Sequence, residues 1–566
     1  MIDLDPTEAN GYYNRGISWI FKGDQDKAIA DLSKAIDLDP KNGEYYYNRG
    51  VAHSYKGDDD LAVADYGKAI EFNPKDARAF HNRGLIWSRK GDYDRAIDDF
   101  NHALELNSND VNSLNSRADA WAGKGDSVRA LADYEEVISL DPSNAHAHYR
   151  RGNVRMDKGY FDGAISDYDA VVAADPKDAS IRYNRGRAWW GKGNLDRALT
   201  DLDASISLDP KFALAYNSRG MIWANKKDDD RAIADYDQAI MLNPSYVDPY
   251  NNRGQTWAAK GELDRAILDY GQAIRLAPTM AIPFANRGYA LVGKGELDHA
   301  IADCDQAITL DPKLAIGYFC RGAVWSRRGD NDQAIADFTA AIALNLTKPL
   351  VFGARGSVWS RKGDFNSAIA DYSRAIELDG KNAAFYSNRA GNLATKGDYA
   401  KAIADYDQAI GLDPKLANAY RGRGVVHFYA GTLTEALGDF RQLTAVNPDS
   451  YSAIWSELAE RRNGAPGHLR EAMGRLDMTK WPAPVVRMLL GDETPAETLA
   501  AAEDPNPQTR QGQICEANLY AAELDRLQGH SDDALRLYKL AESGCPKTFV
   551  EYRAATMALQ MLHVSP

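Results

Sequence analysis

A period of 34 residues governs this sequence. Asn14-Arg15-Gly16 returns as Asn48-Arg49-Gly50, Asn82-Arg83-Gly84, Asn184-Arg185-Gly186, Asn252-Arg253-Gly254 and Asn286-Arg287-Gly288, and the spacing runs without insertion from Arg15 to Arg423. Thirteen units therefore fill residues 9–450, with eight residues before them and 116 after. Self-similarity at this period marks a repeat architecture. Each unit is one small hairpin whose apolar face it cannot bury alone, so neighbours must stack. A chain of 566 residues built this way has a serial core rather than a single globular one.

Each unit reads as two helices. In the first, an aromatic at position 4 (Tyr12, Tyr46, Phe80) is followed by glycine at position 8 and, in eight units, tryptophan at position 11. Those spacings share one helical face. Gly23-Asp24 and its equivalents break the helix, since glycine accepts a left-handed turn and an acid suits the next helix start. The second helix carries Ala28-Ile29, Leu32 and Ala35-Ile36, and Asp39-Pro40 stops it. Position 8 is glycine in eleven units and alanine in two (Ala118, Ala390). Position 15 is glycine except at Lys227, position 20 is always alanine, and proline at position 32 gives way to Ser108, Leu346 and Gly380.

In length, order and residue type the unit resembles the tetratricopeptide repeat. The resemblance implies an all-α fold, a right-handed superhelical solenoid, with residues 451–566 as an atypical helical cap containing one more repeat-like hairpin at about 515–545. Residues 1–8, Met1-Ile2-Asp3-Leu4-Asp5-Pro6 among them, match the end of a second helix. They read as the remnant of a preceding unit, so residues are expected to be missing upstream.

Two positions are fully regular: arginine at 7 (Arg15 to Arg423) and aspartate at 23 (Asp31 to Asp439). They are either a ligand-binding charge ladder or a structural pair. The structural reading is favoured, with the pair joining one unit's second helix to the next unit's first, because solenoids repeat their structural contacts. Tryptophan at position 11 is expected in the core rather than as a stacking platform. The irregular positions carry the functional signal. In the resembled family the first helices line the concave wall, which places position 6 in the groove. Asparagine stands there at Asn14, Asn48, Asn82, Asn184, Asn252, Asn286 and Asn388. This is similar to the asparagine ladder of the O-GlcNAc transferase arm and to carboxylate-clamp repeats. An amide offers donor and acceptor together and can hold an extended peptide backbone, or it can satisfy a neighbouring backbone group. Ser116, Arg150, Ser218, Cys320, Ala354 and Gly422 break the ladder. Tyr13, Tyr47, Tyr149, Tyr183 and Trp190 lie beside it as candidate anchors, and Leu214, Ile282, Ile316 and Leu350 make the later groove more aliphatic.

The tail resembles the C-terminal part of NlpI-type bacterial lipoproteins. The resembling residues are Trp455, Trp481 with Leu490-Gly491, Glu516-Ala517-Asn518-Leu519-Tyr520 and Phe549-Val550-Glu551-Tyr552-Arg553. That resemblance implies a bacterial envelope adaptor in the periplasm; without it, a cytoplasmic site is the expectation. A net charge of −14 disfavours nucleic acid and anionic lipid as partners, and no stretch is apolar enough for a transmembrane segment. The four cysteines form no CxxC pair; Cys515 and Cys545 could meet in an oxidising compartment, although buried thiols are the expectation. No nucleophile–base pair, metal motif or phosphate loop stands out, so neither a catalytic residue nor a cofactor is assigned. The leading reading is a non-enzymatic scaffold that binds extended or disordered protein segments, with self-association open. The alternative is the substrate-selecting arm of a larger enzyme.

Overall fold

A 34-residue unit becomes two antiparallel helices because both breaks are encoded locally. The structure, a computed structural model, describes residues 7–564, and every regular element among them is helical. The expectation for residues 1–8 lies, over 1–6, outside the described residues. In the first repeat, helix Ala9–Lys22 ends at Gly23, whose φ is 78° and whose N–H donates to the Ile20 carbonyl at 3.0 Å. Asp24 then caps helix Gln25–Leu38, accepting the Lys27 N–H at 3.2 Å. Lys227 replaces this glycine in repeat 7 and still takes a φ of 64°, a conformation that costs an L-residue about 1 kcal/mol. In repeat 10, where Leu346 replaces the proline, helix Asn331–Ala343 stops early, Asn345 turns left-handed and Pro349 opens the next helix.

The helices group into two units, one up to Thr256 and one from Trp257 onward. Within each, packing repeats with the sequence. Alanine at position 20 is fully buried in every repeat, from Ala28 to Ala436. Position 8 glycine lies against the side chain at position 24: a Cβ on Gly50 would sit 2.9 Å from the Tyr66 ring. The position-11 tryptophans are half-buried rather than fully enclosed. A cation from position 19 covers the open face in several repeats, as Arg129 does over Trp121 at 4.5 Å and Arg197 over Trp189 at 4.5 Å.

The Arg–Asp pair lies inside one repeat, not between repeats as the sequence implied. Because positions 8 and 24 touch, their neighbours 7 and 23 face each other across the same hairpin. Arg15 Nε and Nη2 grip the two oxygens of Asp31 at 2.7 and 2.8 Å. Arg83 holds Asp99, Arg219 holds Asp235 and Arg355 holds Asp371 in the same way. The link to the neighbour comes from the remaining nitrogen. Nη1 crosses to position 25 of the preceding repeat: Arg49 to Ser33 at 3.0 Å, Arg117 to Asn101 at 2.8 Å, Arg219 to Asp203 at 2.6 Å and Arg321 to Asp305 at 2.9 Å. Where position 25 is glycine (Gly67, Gly271), that arm has no side chain to reach. The aspartates are buried. Burial pushes the Asp235 and Asp439 carboxyls above their ordinary value despite the arginine beside each, while the bond to Asp235 raises the Arg219 guanidinium. Taking both charges out of water offsets much of their attraction, so the buried pair fixes geometry more than it adds stability.

One apolar cluster runs from Ala390 in repeat 12, through repeat 13, to Leu559 in the tail. Helix Ser450–Arg462 opens with a capping box between Asp449 and Ser452 and buries Trp455 completely among Phe428, Phe440 and Tyr520. Helices Pro507–Gln528 and Ser531–Gly544 form a further hairpin. The last helix, Val550–Val564, folds back onto the first helices of repeats 12 and 13, Ala383–Thr395 and Ala417–Ala430. Gln560 fixes it there, accepting from the Tyr399 hydroxyl at 2.7 Å and donating to the Thr395 carbonyl at 3.3 Å.

All four cysteines are paired, which corrects the expectation of buried thiols. Cys515–Cys545 closes the last hairpin, with Cα atoms 5.0 Å apart. Cys304–Cys320, not anticipated, joins the second helix of repeat 9 to the first helix of repeat 10 and is fully buried. The shared cause is approach: both pairs sit on faces that packing brings to disulfide distance.

The tail also buries four glutamates, Glu457, Glu516, Glu523 and Glu551, of which Glu516 and Glu551 lie close together. Glu516 accepts from the Tyr451 hydroxyl at 2.9 Å and from the Trp481 indole at 2.6 Å, and Glu551 accepts from Tyr520 at 3.1 Å. Burial, reinforced by the Glu551 charge, pushes the Glu516 carboxyl up to about 8. The folded state thus binds a proton that the unfolded chain releases near its ordinary value of about 4.3. Stability from this site is complete below that value and is lost as pH rises through about 8. Thermal melts should show the tail unfolding several degrees lower at pH 9 than at pH 6, and Glu516→Gln should flatten that slope. An unchanged slope in the variant would contradict the assignment.

Candidate functional site

Within each unit, consecutive first helices approach one another, as Gly43–Lys56 does Ala77–Arg89 and Ala281–Lys294 does Ala315–Arg328. The second helices make no comparable approach among the described residues. Within each unit the face made by positions 2, 5, 6, 9 and 13 of these neighbouring first helices is the candidate wall.

Positions 5 and 6 interlock across repeats on this wall. Asn48 Nδ2 donates to the Tyr13 hydroxyl of the preceding repeat at 3.4 Å and to the Glu44 carbonyl at 2.8 Å. Asn82 donates to Tyr47 at 3.1 Å, and Asn184 to Tyr149 at 3.5 Å. All six side chains are half-buried. Burial pushes the Tyr13 and Tyr47 hydroxyls above the ordinary tyrosine value, so both keep their protons. Among the described residues no donor reaches the Oδ1 of Asn48, Asn82 or Asn184, and none of the three tyrosines donates its own O–H. Each rung therefore presents one acceptor and one donor, the complement of a peptide group.

The other predicted residues are placed differently. Asn14 is exposed, with only its carbonyl engaged, by Ser18 at 2.9 Å. Asn252 donates to Asn217 at 3.1 Å, which in turn donates to Tyr246 at 3.1 Å, so an amide stands in for the tyrosine at this rung. Asn286 is buried and engaged. Asn388 is exposed, beside the last helix. Tyr183 packs edge-on to Phe212 at 5.1 Å, and Trp190 leans on the cluster of Leu199 and Leu202 rather than joining a rung. Leu214 and Leu350 remain exposed on the wall, as do Phe21 and Tyr55 at its start.

Arg150, counted as a break, is a substituted rung that sequence reasoning missed. Its Nε donates to Asp119 Oδ1 of the preceding repeat at 2.8 Å, where His146 Nε2 also reaches Oδ2 at 3.0 Å and the Tyr134 hydroxyl donates from below. Burial raises the Asp119 carboxyl, but these three bonds outweigh it and hold it below the ordinary value. The signal was available: Asp119 is the one acid at position 9, 31 residues before the one arginine at position 6. Among the described residues no group of three or more His, Cys, Asp or Glu is placed to hold a metal ion, and no helix is long and apolar enough to cross a membrane.

Comparison with known proteins finds the same repeat. Tetratricopeptide-repeat models match residues 115–179, 149–211, 183–247, 230–281 and 326–383, and others match 43–76, 77–110 and 284–314. A further repeat model matches 22–57 and 393–431. No curated protein matches. Similar solved structures include YrrB, a repeat protein described as having an unusual peptide-binding site, at 26% identity over 33% of this chain and 97% of its own, with a TM-score of 0.31. MamA from Desulfovibrio magneticus RS-1 is 26% identical over 30% of this chain and 96% of its own, with a TM-score of 0.29. A repeat protein from Parabacteroides merdae is 19% identical over 44% and 98%, with a TM-score of 0.34. With repeat models running from residue 22 to residue 431, the chain belongs to the tetratricopeptide repeat family.

Proposed function

We propose that this chain is a protein-interaction scaffold that holds extended protein segments along its first-helix wall. The observation that carries the reading is the Tyr–Asn rung. At Tyr13–Asn48, Tyr47–Asn82 and Tyr149–Asn184 one hydroxyl hydrogen and one amide oxygen are left without a protein partner. A row of such rungs reads peptide backbone rather than side chains, which suits a flexible partner and a relaxed sequence preference. Specificity then falls to the irregular wall positions, with exposed Phe21 and Tyr55 at one end and Leu350 later. For a peptide selected on the purified chain from a random-sequence display library, Asn48→Ala with Asn82→Ala should weaken binding by about tenfold or more, the worth of one or two hydrogen bonds. The melting midpoint should stay unchanged. Equal affinity in the double variant would remove the rungs from the binding surface.

The same reading places the scaffold in an oxidising compartment such as a bacterial cell envelope. Support comes from the two cystines, since disulfides persist in such compartments and are rare in the cytosol. If so, chain alkylated at cell lysis and then unfolded should titrate with no free thiol. A count near the full complement of four cysteines would reject the compartment.

A further inference from the structure

The last helix brings two cations to the first helices of repeats 11 and 12, and among the described residues neither is ion-paired; the acid in the same helical turn, Glu551, is buried and accepts instead from Tyr520 at 3.1 Å. Lys547, just before helix Val550–Val564, and Arg553, in its first turn, line a cleft of about 160 Å³ against the first helices of repeats 11 and 12. Ser357, Asn388 and Thr548 supply its polar lining, and no acidic side chain takes part. The Lys547 ammonium lies 4.2 Å from the centre of the Tyr552 ring. Both cations are half-buried, and among the described residues neither has a carboxylate at ion-pair distance. That is unusual in this chain, where each repeat arginine is committed to an aspartate. The nearby Arg361 is also half-buried and has only neutral partners, Ser326 Oγ at 2.7 Å and Asn331 Oδ1 at 3.2 Å.

Position 9 is glycine only in repeat 12, at Gly391, and the Arg553 guanidinium lies directly over it: a Cβ there would stand 2.8 Å from Nη1, so a larger residue would move the guanidinium from this position. Partial burial of several cations without a counter-charge is costly, and an anion seated among them removes that cost.

We infer that this cleft is an anion site that takes a side-chain carboxylate from an acidic stretch of a protein bound along the wall. The source of the carboxylate rests on the scaffold reading; the anion chemistry does not. Asn388 and the Lys547–Arg553 pair act together here, the amide as a neutral donor and the cations as charge, so repeat 12 selects for an acid where the earlier rungs accept any backbone.

The test is calorimetric titration of the full chain in about 50 mM salt, where charge contacts are weakly screened, with acetyl-tetraglutamate amide and with acetyl-tetraglutamine amide. The glutamate peptide should bind and the glutamine peptide should not. Lys547→Gln and Arg553→Gln should each weaken glutamate binding about tenfold, the worth of one charge-assisted hydrogen bond. Lys415→Gln, at an exposed lysine elsewhere on the same unit, should leave it unchanged. Circular dichroism should show each variant melting as the parent does, because no internal ion pair is lost. Equal affinity in all variants, or equal binding of the two peptides, would overturn the site. Binding of inorganic phosphate with none of the glutamate peptide would overturn the carboxylate assignment in favour of a phosphate source. The Asn48 and Asn82 variants should bind the glutamate peptide normally, so failure of the rungs and failure of this site are separable.

Discussion

One arginine per repeat holds both the hairpin and its neighbour. Two of its nitrogens grip a buried aspartate on the second helix of the same repeat, and in most repeats the third crosses to the repeat before. Lysine, a point charge, could not make this three-way contact; a planar fork with donors on two edges can. The constraint then propagates. The close approach of the position 8 glycine to the position 24 side chain brings arginine and aspartate face to face, and their bidentate grip then locks the first helix in that rotation, which leaves positions 5 and 6 toward the candidate wall. Because every one of these aspartates is buried, desolvation offsets much of the pair's attraction, and the contact serves register more than net stability.

A fixed register is what lets the wall vary. Because every first helix presents the same positions, a change of residue there alters chemistry without altering shape. Tyr–Asn rungs occur in the early repeats, an ion-paired rung at Asp119 and Arg150, an amide pair at Asn217 and Asn252, a disulfide where Cys320 replaces the asparagine, and a cationic cleft where the tail meets repeat 12. The tail has two tasks in this arrangement. It seals the apolar end of the array with Trp455 and its neighbours, and it lays a helix across the first helices of repeats 12 and 13. The open wall of the second unit therefore stops short of its last repeats.

Much of the fold was legible because its causes are local. Gly23, Asp24 and Asp39-Pro40 fix helix ends within a few residues, and a strict period multiplies that signal. The departures were visible as residues, but their effects belong to the structure: Lys227 keeps the left-handed turn without glycine, and Leu346 shifts the end of its helix. Contacts between helices were less so. The Arg–Asp pair was expected in the wrong hairpin because spacing along the chain does not say which helices face each other; the close approach of positions 8 and 24 does. Cys304–Cys320 was missed because a search for CxxC spacing is blind to partners set by packing. On the candidate wall, the recurrence of asparagine at position 6 could be read from the sequence, but its bond to the tyrosine 35 residues earlier could not, since each was read within its own repeat. The cationic cleft depends on the fold-back of Val550–Val564, a tertiary event with no local signature.

The central claim is that the third arm of the arginine couples neighbouring repeats. A double-mutant cycle on Arg219 and Asp203 measures that coupling directly, because the two residues belong to adjacent repeats and meet only through Nη1 at 2.6 Å. With Asp203 partly exposed, the account predicts that Arg219→Ala and Asp203→Ala will be non-additive by about 0.5–1 kcal/mol in chemical unfolding. Additivity within about 0.3 kcal/mol would show that the arginine serves its own hairpin alone.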